Sequence, residues 1–203
     1  MPLSYRPIGF DAHALIKLRL NHMAKNSIGR LQRADHYHQV DIGPALPVYV
    51  LNLKRILAGE GMETSKHLAY CYYPKSGDGN AVRVEIRVGD SGLARINSIS
   101  TGGTSIPAAI KALGELHAHK HILENTFEPR MFHLIPVLMG IWLKSPENGA
   151  DFIYPYFRAP KPLELNYLYP ADAFLGHFRL ILKKRVLQNS YRRAHPKPPS
   201  SIA

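Results

Sequence analysis

Residues 82–88 alternate without a break: Val82, Val84, Ile86 and Val88 are apolar, and Arg83, Glu85 and Arg87 stand between them. A period of two marks a strand with one face toward a core. Residues 89–92 (Gly-Asp-Ser-Gly) supply a tight turn, and residues 93–99 continue as a further strand. Upstream, the aromatic stretch 67–73 is followed by a run of turn formers at 74–80. Three strands joined by short connections predict a small antiparallel meander over residues 67–99.

Helical periods flank this meander. Asp11 is placed to cap a helix in which Ala12, Ile16, Leu20 and Met23 share one side, ending near Gly29. Leu46, Val50, Leu53 and Leu57 repeat at i, i+4, i+7 and i+11, with Pro44 and Pro47 near the start and Gly59 just past the end, which predicts a second helix. A third is expected over 107–123, with Ala109, Leu113, Leu116 and Leu123 on its packed face. Residues 129–143 are apolar nearly all round and predict a buried helix kinked at Pro136. Residues 144–170 mix prolines with Tyr154, Tyr156, Phe157, Tyr167 and Tyr169, and read as extended chain ordered by its rings. Asp172 then caps a last helix striped by Ala171, Leu175, Phe178, Leu182 and Val186.

The expected fold is α+β, a small antiparallel β-meander packed by amphipathic helices. One domain spans residues 1–193, and 194–203 form a basic, proline-rich tail expected to be mobile. The chain of 203 residues is 45% hydrophobic and 20% charged, which suits a packed core and excludes a disordered polyelectrolyte. No apolar run approaches the roughly 20 residues that cross a bilayer. Cys71 is the one cysteine, so no internal disulfide forms. With no apolar segment after the first basic residues, a cytoplasmic location is expected, export by a signal-less route being the alternative.

Charge changes the picture most. Lys and Arg number 26 against 15 Asp and Glu, a net charge of +11. Residues 1–34 hold Arg6, Lys17, Arg19, Lys25, Arg30 and Arg33 against Asp11 alone, and residues 173–203 hold seven cations and no carboxylate. Such ends attract polyanions. Arg179, Lys183, Lys184, Arg185, Arg192 and Arg193 are the expected nucleic-acid contacts, with Tyr191 interleaved.

Other motifs carry less. The loop before the third helix, with Gly102, Gly103, Thr104 and Ser105, offers amides for a phosphate cradle, against the plainer reading of a helix cap. His117 and His121 fall at i and i+4 with Glu124 three residues on, a spacing that can hold zinc. Ala118 stands where a metalloprotease helix needs glutamate, and no metal is expected. His36 and His38 match the His-hydrophobic-His pattern of single-strand nicking enzymes, a short pattern that chance also produces. Cys71 lies mid-strand, away from any helix terminus that would lower its pKa, and reads as buried and inert.

Three readings follow. The first is a nucleic-acid-binding protein, RNA or DNA, that grips phosphates through its basic ends, with aromatics of the Tyr/Pro segment stacking on bases. The second is a small nuclease or toxin-like hydrolase working by histidine acid–base chemistry, with His36, His38, His117 and His121 as candidates. The third is a non-catalytic protein that docks a partner through residues 151–170, Tyr154 and Tyr156 serving as anchors. The sequence leaves the cofactor, and any metal dependence of a hydrolase, unassigned.

Overall fold

The computed structural model describes residues 3–5, 11–26, 41–75, 81–134, 138–146 and 149–194, with side chains described over these ranges except at 23–26 and 187–194. The fold is α+β, with five helices and an eight-stranded sheet among the described residues. The strands are β1 (Leu46–Val50), β2 (Lys66–Tyr72), β3 (Arg83–Val88), β4 (Ala94–Ser100), β5 (Glu128–Leu134), β6 (Leu138–Lys144), β7 (Phe152–Phe157) and β8 (Tyr169–Pro170). They lie in the order β4-β3-β2-β1-β5-β6-β7-β8, and every pair is antiparallel except β1 with β5. The expected meander is thus present as β2, β3 and β4, but it forms one flank of a much wider sheet.

Two expected helices are strands. Residues 46–50 form β1, and only Leu53–Leu57 are helical (α2), capped by Asn52, whose side chain accepts from the amides of Lys54 and Arg55. The four leucine and valine positions that suggested a helix straddle this junction. Pro47 is tolerated because the parallel ladder with β5 begins one residue later, at Val48. Across the stretch 129–143, β5 and β6 pair antiparallel from Glu128↔Lys144 to Leu134↔Leu138, and Pro136, the site of the expected kink, lies outside the described residues. A strand buried on both faces is apolar at every position, so it lacks the alternation that betrays a half-wet strand.

The sheet is packed on both sides. α3 (Ser105–Ala118) sits on one face over Val48, Cys71, Met131, Ile141 and Tyr154. The chain breaks at His119 before α4 (Lys120–Leu123). In an unbroken helix Leu116 and Ile122 would point roughly 240° apart. The break lets both enter the core, and Leu123, expected on the packed face, is exposed instead. On the opposite face lie α1 (Ala12–Asn26) and α5 (Ala171–Ala194). α1 packs Ile16 and Leu20 on Tyr72, Val84 and Ile86, and α5 packs Phe174, Leu175 and Phe178 on Phe132, Trp142 and Ile153. Register fixes the common face: Val48 pairs with Ala69, which leaves Tyr70 and Tyr72 on the side of Tyr49, and Tyr49 pairs with Phe132.

The joint between β5 and β6 is tight at Gly140, which pairs with Phe132. A Cβ there would overlap the Phe132 ring and stand 3.0 Å from the carbonyl oxygen of Tyr154. Neither a ring packed on Phe174 nor a backbone carbonyl yields cheaply. Gly140→Ala is therefore expected to cost about 2–3 kcal/mol, as a fall in the urea midpoint with unchanged slope. A midpoint equal to that of the parent would show that the hairpin is not packed this closely.

Candidate functional site

The face shared by α1 and α5 carries five of the exposed cations of the described residues, Lys17, Arg19, Lys183, Lys184 and Arg185, and others, such as Lys111 and Lys120, lie on the opposite face. On α1, Ile16 and Leu20 point inward and Lys17 and Arg19 are exposed. α5 has 24 residues, about 36 Å. Its inner side is buried as far as Leu182, and Lys183, Lys184, Arg185 and Val186 that follow are all exposed. Lys183, Lys184 and Arg185 thus give this part of α5 a basic exposed surface. The expected stripe therefore ends one turn early, at Leu182 rather than Val186.

Arg179 does different work from its neighbours. Its Nε donates to the carbonyl of Ile56 at 2.9 Å, and its Nη2 donates to those of Gly59 and Glu60 at 2.8 Å each. These are carbonyls in and just past the end of α2, and that of Ile56 also accepts the Gly59 amide at 3.0 Å. Arg179 fastens α5 to α2 and is not a free phosphate ligand. Arg192 and Arg193 lie in the last turns of α5.

Between the two helices the sheet shows rings. Tyr49 of β1 packs on His67 of β2 with centroids 5.4 Å apart, and His67 packs edge-on against Tyr70 at 4.8 Å. Tyr49 also meets Trp142 at 5.4 Å, and the guanidinium of Arg130 lies 5.0 Å and 4.6 Å from these two rings. His67 is exposed, and Tyr49 and Tyr70 are half-buried. Burial, with help from the Arg130 charge, holds the His67 imidazole below its ordinary 6.5, against a hydrogen bond to the Ala69 backbone that favours the charged form. It therefore offers a neutral ring near neutrality. This strip joins residues distant in sequence; its one local signal was the aromatic content of residues 67–73.

The strip runs into a cleft of about 540 Å³ beside the start of α5. Arg130 and Lys144 enter it already paired, Arg130 with both oxygens of Glu128 at 3.1 Å and Lys144 with Asp151 at 3.2 Å. Asp151 also accepts from Trp142 Nε1 at 2.9 Å and the Ser145 amide at 3.0 Å.

The opposite face buries a polar cluster. Arg83 is ion-paired with Glu85, and its Nη2 donates to Nε2 of His133 at 3.1 Å; Ser98 donates to Glu85 at 3.2 Å. Burial pushes the His133 imidazole down to about 4, aided by the Arg83 charge and opposed by Glu85. Burial pushes the Cys71 thiol up to about 11, with Arg83 pulling the other way. Burial likewise raises Tyr73 and Tyr156. A protonated, fully enclosed thiol is no nucleophile, in keeping with the inert cysteine expected mid-strand.

The remaining candidates are dispersed. His117 Nε2 shares a hydrogen bond of 2.9 Å with Tyr5, whereas the His121 ring packs on Phe127 and Phe152. The break at His119 separates them, so they do not form the shared flank with Glu124 that an unbroken helix would give. Among the described residues no three His, Cys, Asp or Glu gather as metal ligands. His36 and His38 lie outside the described residues. Gly102, Gly103 and Thr104 are exposed between the edge strand β4 and α3, which starts at the half-buried Ser105, far across the sheet order from the half that α5 covers. Gly103 has φ +97°, and Thr104 occupies the cap position without a side-chain cap bond. Tyr154 and Tyr156, expected as docking anchors, are core residues, with the Tyr154 hydroxyl donating to Glu115; Tyr167 is the exposed ring of that segment. No helix among the described residues is long and apolar enough to cross a membrane.

No family model matches this chain, and neither a characterised protein nor a solved structure does so.

Proposed function

We propose that the chain binds single-stranded nucleic acid across the face carrying α1 and α5. The observation behind this reading is the placement of two basic helices on one side of the sheet with the rings of Tyr70, His67 and Tyr49 between them. Cations flanking a row of accessible rings suit a strand whose phosphates are neutralised at the edges and whose bases stack in the middle. A duplex hides its base faces and gains nothing from such a strip. Lys17, Arg19, Lys183, Lys184 and Arg185 hold the backbone, His67 and Tyr70 stack, and Arg179 anchors the helix that presents the cations of α5.

The test is the binding of labelled oligouridine and oligothymidine, followed by anisotropy over a range of salt. Each phosphate contact on a single strand contributes a slope of about −0.7 in log K against log salt. Replacing Lys183, Lys184 and Arg185 together by alanine is expected to flatten that slope by about 2. His67→Ala, at an exposed position, is expected to weaken binding by about tenfold or more with little change in slope. Binding indifferent to salt, or a triple variant with the parental slope, would sink the proposal.

A further inference from the structure

We propose, resting on the reading above, that His67 is a pH switch in the strand-binding face: its ring takes up a proton as a phosphate of the strand settles beside it, so that acid tightens binding. His67 is the exposed ring of the strip, Tyr49 and Tyr70 being half-buried and Trp142 buried. The Arg130 guanidinium already lies against the Tyr49 and Trp142 rings, so His67 and Tyr70 are the rings offered to a base. The charge state of His67 is therefore felt where the strand makes contact.

The groups packed around this imidazole fix what its charge does. Tyr49 of β1 stands 5.4 Å away and Tyr70 of its own strand 4.8 Å away, both tilted across it. Phenol rings at such distances accommodate an imidazolium by cation–π attraction. From β5 comes Arg130, whose charge opposes the proton and which is itself held through both oxygens of Glu128 at 3.1 Å. Burial, helped by that charge, keeps the unbound ring neutral near neutrality against the hydrogen bond to the Ala69 backbone. No carboxylate acts on His67 among the described residues.

A bound strand supplies the missing anion. A nucleotide stacked on this ring carries its phosphate close to the imidazole, and a nearby negative charge favours the protonated form. Strand and proton then help each other: the factor by which binding raises the proton affinity of the ring is the factor by which protonation raises strand affinity. The gain is absent where the ring is neutral in both states and complete where it is charged in both. Affinity therefore climbs as the pH falls through and below the ordinary histidine value.

The test compares the parent with His67→Phe, which keeps a ring for stacking and takes no proton, by anisotropy of labelled oligothymidine, whose bases do not titrate in this interval. The other histidines titrate alike in both proteins, so the difference between the two isolates His67. Nearly equal affinities are expected at about pH 7.5, and at about pH 5.5 a parent about three- to tenfold tighter than the variant. Its slope in log K against log salt is expected to be steeper there by about 0.7, one further phosphate contact. Proton NMR of the His67 ring is expected to show a higher titration midpoint with oligothymidine bound than without. Affinities that change in parallel over this interval, or a midpoint that the strand does not raise, overturn the switch and leave the strand-binding face standing. Absence of oligothymidine binding at both pH values removes the face and the switch with it.

Discussion

Arg83→Ala is expected to lower the free energy of unfolding by about 3–5 kcal/mol, the usual cost of stripping one partner from a buried ion pair. The side chains of Arg83 and Glu85 are each only 14% exposed, so the carboxylate left behind is not rescued by solvent. Ser98 alone would remain on Glu85, and His133 would lose the N–H that its Nε2 accepts. The charge of Arg83 also opposes the burial that raises Cys71 and Tyr73. In a domain of this size the loss corresponds to a fall in Tm of about 10 °C or more. The pair itself adds little net stability, because burying two charges costs nearly what their attraction returns. Arg83→Met with Glu85→Leu, which removes both charges and keeps the volume, is accordingly expected to recover most of the loss. A single variant that loses under about 1 kcal/mol would mean that water reaches the pair as it reaches surface bridges.

The same two residues show where sequence legibility stops. Alternation over 82–88 correctly marks β3, and it assigns Arg83 and Glu85 to the side away from Val84 and Ile86. It cannot say that this second side is also buried, because the groups around it are Cys71, His133 and Tyr156 on three other strands and Tyr73 just past one of them. The Asp11 cap is legible because it is local: its carboxylate takes the Ala14 amide at 2.9 Å. The stretches 46–57 and 129–143 are not, because a strand at the centre of a sheet earns its order from neighbours distant in sequence, and its apolar run has no period of its own. The charge asymmetry between ends and middle is plain in the chain, yet the common face of α1 and α5 depends on β1 lying parallel to β5. That pairing leaves no local mark. The aromatic strip needs the register between β1 and β2, with its shift between Val48 and Tyr49, to bring Tyr49 opposite His67.

Acidification is expected to weaken the fold in a window set by His133. In the unfolded chain this imidazole titrates near its ordinary 6.5, and in the fold burial and the Arg83 charge hold it to about 4. Between those values the unfolded chain takes up a proton that the native chain refuses. Stability therefore rises with pH across the window, is complete above about 6.5, and falls as pH drops toward 4. The full difference is about 3 kcal/mol, taking about 1.4 kcal/mol for each tenfold change in proton affinity. His133→Gln separates this from general acid denaturation, since its amide oxygen still accepts from Arg83 and it takes no proton. The variant is expected to lose less stability than the parent from pH 6.5 to 5, the slope that remains including that of His67, which is also held below its ordinary value. Parallel curves for the two proteins over that interval would show that the acid response arises from other groups and that His133 titrates alike in both states. If the curves diverge as expected, His133 contributes to the lower pH limit of the fold, while on the opposite face His67 gains no charge until the pH falls below its ordinary value.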